Sequence, residues 1–194
     1  MLDDLLGTIP AKSLTVKAIR LITGLPFDLI IDTDNIPRAP GCYVWAKDEN
    51  GPVWYIGESN WLPRRLGEQW FYWVYEQIPN EDKTSSDRLE PLGIACWPTA
   101  IRAVYENGLQ CFASATQRTG FIPEVWEARI QQANKIVSGN MMLIGGSGWE
   151  DKEGTPWGDQ RLEAFAWAQQ RLREMEPLKD KEELWGVAPT EEKA

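Results

Sequence analysis

Tyr43 and Tyr55 stand twelve residues apart in the stretch Gly41-Cys-Tyr-Val-Trp-Ala-Lys-Asp-Glu-Asn-Gly-Pro-Val-Trp-Tyr-Ile-Gly57, and Arg64 and Arg65 follow closely in Glu58-Ser-Asn-Trp-Leu-Pro-Arg-Arg-Leu66. The chain contains no histidine. That removes the general base of Ser-His-Asp and Cys-His hydrolases and the ligands of most catalytic zinc sites. Its three cysteines, Cys42, Cys96 and Cys111, are an odd number with no close pair, so they read as buried thiols rather than a disulfide framework or a zinc knuckle. Any active site here has to be assembled from Tyr, Lys, Arg, Asp or Glu. Taken singly, each candidate has a plainer role: a tyrosine in a strand is usually a hairpin aromatic, and an arginine on a helix is usually solvated.

Whether the two tyrosines can act together depends on the element that carries them. "CYVWAK" and "PVWYIG" are β-rich runs separated by Asp48-Glu49-Asn50-Gly51, a strong hairpin signal. With a three-residue loop Glu49-Asn50-Gly51, Gly51 takes the left-handed position and paired residues sum to 100. Trp45 then faces Tyr55, and Tyr43 lies on the same face. A two-residue Asn-Gly loop would put the tyrosines on opposite faces.

After Gly57, Ser59 or Asn60 can cap a helix that tolerates Pro63 in its first turn. Leu62, Leu66, Trp70, Trp73 and Val74 recur at helical spacing through about Ile78, with Arg65, Gln69 and Tyr72 on a neighbouring face. Upstream, Ser13 precedes "LTVKAIRLIT", in which Leu14, Ala18, Ile19, Leu21 and Ile22 form an apolar face of a short helix ending at Gly24. "FDLIIDT" follows as an extended segment. Downstream, polar residues 79–90 read as a loop or insertion, 91–97 and "LQCFASA" as strands, and 99–107 as a helix.

Pro123 opens a clear helix with Trp126, Ile130, Ala133 and Val137 as its stripe and Glu124, Glu127 and Gln131 beside it. A last helix, "RLEAFAWAQQRLREM", places Leu162, Phe165, Ala166 and Leu172 on its apolar side. The tail from Glu176 is charged and expected to be partly disordered.

Composition narrows the function classes. A chain of 194 residues with 43% hydrophobic residues can bury a core. No apolar run approaches the roughly 20 residues of a membrane span. The N-terminus begins with acids and lacks the blocks of a secretion signal, so the expected location is cytoplasmic, away from any membrane. A net charge of −9 repels a phosphate backbone unless the cations gather in one groove.

The motif "GCY", eleven residues and "YIG", followed by "ESNWLPRRL", resembles the signature of the GIY-YIG nuclease family. In that family the two tyrosine motifs form adjacent strands, and an essential arginine lies ten residues after the second tyrosine, here Arg65. A glutamate on a later helix, in the pattern Glu-x-x-Leu/Ile, matches Glu127 in "EARI", and Asn140 lies thirteen residues beyond it. The resemblance covers approximately residues 39–142 and implies an α+β fold, a small antiparallel sheet with flanking helices. On this reading 1–38 is an N-terminal extension of helix plus strand, 39–142 is the family-like domain with an insertion at about 79–115, and 143–194 is a helical C-terminal extension with a charged tail.

The resemblance further implies a metal-dependent endonuclease that hydrolyses phosphodiester bonds in DNA, alone or as a homodimer. Mg²⁺ or Mn²⁺ would be held by Glu127, since Mg²⁺ keeps most of its water shell and one carboxylate can suffice. Arg65 would bind phosphate through its planar donor fork. Tyr43 would act as base or water-positioning group, its pKa lowered by Arg65 and the metal, and Tyr55 would contact phosphate or water. Arg64, Gln69, Tyr72 and Asn140 would assist at the substrate. Many family members carry a histidine or tyrosine where this chain has Gln69, which cannot usefully exchange a proton. Either Tyr72 supplies that hydroxyl or the proton-transfer role is lost; the alternative function is a catalytically inactive module of this fold that binds a protein or nucleic-acid partner. A third option is phosphoryl chemistry on a smaller ligand.

Overall fold

The computed structural model describes residues 12–31, 33–67, 108–115, 121–138, 156–175 and 185–187. In chain order these form β1 (Lys12–Leu14), α1 (Val16–Thr23), β2 (Asp28–Ile30), a 3₁₀ turn at Thr33–Asn35, β3 (Gly41–Ala46) and β4 (Val53–Ser59). Helical residues 62–67, here α2, come next. They are followed by β5 (Gln110–Ala115), α3 (Pro123–Ser138), α4 (Pro156–Glu174) and β6 (Trp185–Val187). The fold is α+β.

Ser13 is part of β1, and Thr15 caps α1, its hydroxyl accepting from the Ala18 N–H at 3.0 Å. Gly24 ends the helix in the left-handed conformation at φ 68° and donates its N–H to the Arg20 carbonyl, as expected of a C-terminal glycine. Val16, Ala18, Ile19 and Ile22 are buried, whereas Leu21, expected on the apolar face, is 48% exposed. At 3.6 residues per turn it lies more than half a turn round from Ile19.

The main sheet has four strands in the order β2–β5–β3–β4, every pair antiparallel. β5, which the sequence reading placed at the end of an insertion, lies between β3 and β2, and β2 comes from the N-terminal segment. Every residue of β3 is buried, so neither face of this strand is open to solvent. Cys42, Val44 and Ala46 point to one face and Tyr43 and Trp45 to the other by alternation.

In the β3–β4 hairpin Tyr43 stands opposite Gly57 and Trp45 opposite Tyr55, the register that puts both tyrosines on one face. The means differs from the one expected. A bulge between Trp45 and Ala46 shifts the pairing so that Ala46 meets Val53. Among the described residues only Gly24 and Gly108 have positive φ, so Gly51 does not take the left-handed position. The Asp48 carboxylate instead closes the loop, accepting the N–H groups of Asn50 at 2.8 Å and Gly51 at 2.7 Å.

At the end of β4 the Ser59 hydroxyl accepts the Trp61 N–H at 3.0 Å, and the chain turns into α2 with Pro63 in its first turn. Leu62 and Leu66 are buried. Trp70, Trp73, Val74, Ile78 and Cys96, with the strand expected at 91–97 and the helix at 99–107, lie outside the described residues.

α3 buries Ile130 and Ala133 and half-buries Trp126 and Val137. It runs antiparallel to β4. Its first residue meets β3, where the Cys42 thiol donates to the Pro123 carbonyl at 3.2 Å. Farther along, Asn134 Oδ1 accepts from the Leu14 N–H at 3.0 Å and lies 2.9 Å from the Ser13 hydroxyl, itself 2.9 Å from the Val53 carbonyl. Asn134 is fully buried, a position that the apolar spacing of the helix does not announce.

α4 packs on α3 through Ala164, Ala168 and Leu172, while Leu162 is 53% exposed and Ala166 also faces out. The apolar stripe is therefore rotated from the expected one. Across this contact the Trp126 and Trp167 rings meet edge to face at 5.7 Å. Arg171 donates to the Ile22 carbonyl at 3.0 Å, tying α4 to the end of α1. Residues 185–187, within the tail expected to be disordered, form β6 and pair antiparallel with β1. Among the described residues no helix is long and apolar enough to cross a membrane.

Candidate functional site

The hairpin register brings Tyr43 and Tyr55 together as a stacked pair, ring centroids 5.9 Å apart and planes 27° from parallel. Both are buried, and their hydroxyls share a hydrogen bond. Gly57 makes the arrangement possible. A Cβ there would come within 2.6 Å of Tyr43 Cζ and hydroxyl and 2.8 Å of Tyr55 Cε1, so the rings occupy space that only glycine leaves open. Two residues from Tyr43, at the start of β3, a Cβ on Gly41 would run into the Ser114 carbonyl and Leu62 Cδ1. That second close approach seats α2 against the sheet.

Arg65 is one turn into the helix that begins at Trp61, its N–H donating to the Trp61 carbonyl at 3.2 Å. Its charge acts on Tyr43, Tyr55, Glu58 and Glu127 alike. Glu127 comes from the second turn of α3 and is half-buried. Burial and the neighbouring Glu58 push its carboxyl up to about 8, against opposing pulls from Arg65 and Arg161 and a further push from Glu124. Glu58, directly after the second tyrosine motif, is also raised, by burial and by Glu124, with Arg65 opposing. Its Oε2 is buried with no hydrogen-bond partner among the described residues. Asn60 Nδ2 donates to Glu124 Oε1 at 3.4 Å and so joins the turn before α2 to the start of α3.

Four of the residues singled out in the sequence, Tyr43, Tyr55, Arg65 and Glu127, thus fall within one electrostatic neighbourhood. Arg64, their neighbour in sequence, is exposed. Gln69, Tyr72 and Asn140 lie outside the described residues. Glu58, Glu124 and Arg161 belong to the neighbourhood and were not anticipated as site residues. Only Glu58 carried a signal, its place between Tyr55 and Arg65 on the strand that feeds the helix.

The expectation for Tyr43 is a pKa lowered by Arg65 and a metal together, and Arg65 alone does not achieve it. Arg65 does lower the Tyr43 pKa, but burial outweighs both Arg65 and the hydrogen bond from Tyr55, and the phenol ends above its ordinary value. Tyr55 is raised as well, by burial first and then by Tyr43. Near neutral pH both are neutral hydroxyls, suited to donate hydrogen bonds and to hold a water or an anionic oxygen. The Cys42 and Cys111 thiols are pushed up by burial too, which leaves no cysteine nucleophile among the described residues.

The carboxylates are short of positive charge. Glu58 and Glu127 each raise the other or are raised by neighbouring acid, and one buried oxygen of Glu58 is unpartnered. Oxygen donors of this kind suit a hard divalent cation that completes its shell with water. Among the described residues there is no group of three or more His, Cys, Asp or Glu placed to hold a metal by protein ligands alone. Comparison with protein-family models, with curated proteins and with solved structures finds no match to this chain.

Proposed function

We propose that this chain is a GIY-YIG-like, metal-dependent endonuclease acting on DNA. The observation that carries the reading is the Tyr43–Tyr55 pair stacked over Gly57, with Arg65 and Glu127 acting electrostatically on both phenols. Two neutral hydroxyls, one guanidinium and one carboxylate of raised pKa make a coherent set for phosphodiester hydrolysis by in-line water. Arg65 binds a phosphate oxygen and stabilises the charge that develops on it. Tyr55 donates to a second oxygen or to water. Tyr43, neutral and buried, orients the attacking water through its hydroxyl rather than removing its proton as a phenolate.

Glu127, with Glu58 beside it, would hold Mg²⁺ or Mn²⁺, which when bound offsets phosphate charge and promotes ionisation of water. Without a cation, the glutamates repel phosphate, as the net charge of −9 does at longer range. Glu127 binds a cation only as carboxylate, so protons compete with the metal at this site. The test is incubation of the full chain with DNA and RNA substrates in Mg²⁺ or Mn²⁺, comparing wild type with Tyr43→Phe, Arg65→Ala and Glu127→Gln. Metal-dependent DNA cleavage lost in all three variants is the expected result. Cleavage that survives both Arg65→Ala and Glu127→Gln would refute the site.

A specific observation favours the second reading, a module that binds without cutting. Glu127 acts on both tyrosines, Glu58 and Glu124 act on Glu127, and burial holds both phenols protonated. Metal-independent binding of a partner by a folded wild type that cuts no substrate would establish it in place of the nuclease.

A further inference from the structure

Trp61 is the residue between the end of β4 and the first turn of α2, and its backbone is pinned from both sides. Its N–H donates to the Ser59 hydroxyl at 3.0 Å, and its carbonyl accepts the Arg65 N–H at 3.2 Å. Its neighbour Leu62 is fully buried, yet the Trp61 side chain is 46% exposed. The bond from the Arg65 N–H sets Trp61 one turn ahead of Arg65, at the start of α2. Asn60 ties this turn to Glu124, and Ile122, just ahead of α3, is 52% exposed. The turn at 59–61 and the start of α3 therefore border the tyrosine and glutamate neighbourhood, and an indole held on a rigid backbone stands at that border.

We propose that Trp61 is a stacking platform for an unpaired nucleobase next to the phosphate held by Arg65, so that the substrate class is single-stranded DNA or a duplex with an unstacked nucleotide at the scissile bond. This rests on the nuclease reading of the same site. Indole offers a flat π-face that every base can use, whereas a base inside an intact duplex is already stacked on both sides and cannot reach it. The combination of one cation for phosphate and one aromatic for the adjoining base is the minimal grip on a single strand. It also supplies attraction that survives the acidic surface, because stacking is insensitive to net charge.

The test uses the full chain carrying Glu127→Gln, which blocks hydrolysis, titrated in Mg²⁺ with a fluorescent single-stranded oligonucleotide and with a blunt duplex of the same sequence. Trp61→Ala and Trp61→Phe are added in that background. The single strand should bind more tightly than the duplex. Trp61→Ala should weaken single-strand binding roughly 10-fold, within the range of one lost base stack, and Trp61→Phe should recover most of it. An unchanged single-strand affinity in Trp61→Ala, or an equal loss on single strand and duplex, would overturn the platform. If the otherwise wild-type protein cuts DNA while Trp61→Ala changes neither affinity nor KM, the platform falls and the nuclease reading stands. If the single strand binds through Trp61 but the wild type cuts nothing, the nuclease reading falls and the platform stands. No binding of either oligonucleotide would remove both.

Discussion

Gly57 lies directly beneath Tyr43: the two residues face each other across β3 and β4, and a Cβ on Gly57 would come within 2.6 Å of the Tyr43 hydroxyl. The stacked pair of phenols exists because one residue on that face has no side chain.

Gly57→Ala should accordingly destabilise the protein by about 1–3 kcal/mol, the usual penalty for overpacking a filled site. It should also alter the near-ultraviolet circular dichroism of the tyrosines. Urea denaturation gives the first quantity, and a variant as stable as wild type would contradict the packing described.

Asn134→Ala should cost about 1–3 kcal/mol as well, by leaving the Leu14 N–H without its buried acceptor, while the Ser13 hydroxyl keeps the Val53 carbonyl. The loss is local first. Hydrogen exchange at the Leu14 amide should accelerate more than exchange in β3, since β1 and β6 are joined to the body of the protein partly through this asparagine.

Glu127 makes stability depend on pH. Its carboxyl is raised from 4.5 to about 8 in the folded chain, so between those values the folded state binds more protons than the unfolded one. The stabilisation is complete below the unfolded value and is lost as pH rises through the folded one. Thermal melts without divalent cation should therefore show Tm falling from pH 5 to pH 8. Glu127→Gln should flatten that slope and exceed wild type near pH 8.5 by about 2–4 °C or more, the shift that about 1 kcal/mol produces in a chain of this size. A wild-type slope unchanged by the substitution would show that some other group sets it.

On the proposed nuclease function the same proton would set the metal dependence of cleavage. Activity should rise with pH up to about 8 as Glu127 ionises, and higher Mg²⁺ should move that rise to lower pH by competing with the proton. Tyr43→Phe should lower the rate about 100-fold or more, comparable with removing one donor to a developing charge, while leaving the midpoint of the pH profile in place. A midpoint that moves in Tyr43→Phe would mark the phenol as the titrating base instead.

The residues that could do chemistry were legible because their positions are set by local rules. The hairpin signal and strand alternation put Tyr43 and Tyr55 on one face for an odd loop, the register the structure has, and helical spacing after Gly57 set Arg65 on the element that follows. The Pro123 helix with its apolar stripe was legible for the same reason. What failed locally was the device that keeps the hairpin parity: an aspartate-closed loop with a bulge serves where a left-handed glycine was expected, because both satisfy the same pairing. Of the expected α4 stripe Leu172 is buried, whereas Ala164 and Ala168 are buried in place of Leu162 and Ala166, because the neighbour the helix packs on decides which side is covered.

By itself the sequence determined the tyrosine hairpin, the helices after Gly57 and from Pro123, and the absence of histidine, since each depends on residue type and short-range periodicity. Tertiary structure alone decided that β5 enters between β2 and β3, that β6 pairs with β1 and that Asn134 is a buried junction, because those pairings join residues far apart in the chain. It also decided the protonation of the site. Tyr43 has Arg65 near it, as its position in the sequence suggests, but the pKa follows the balance between that one charge and complete burial, and burial prevails.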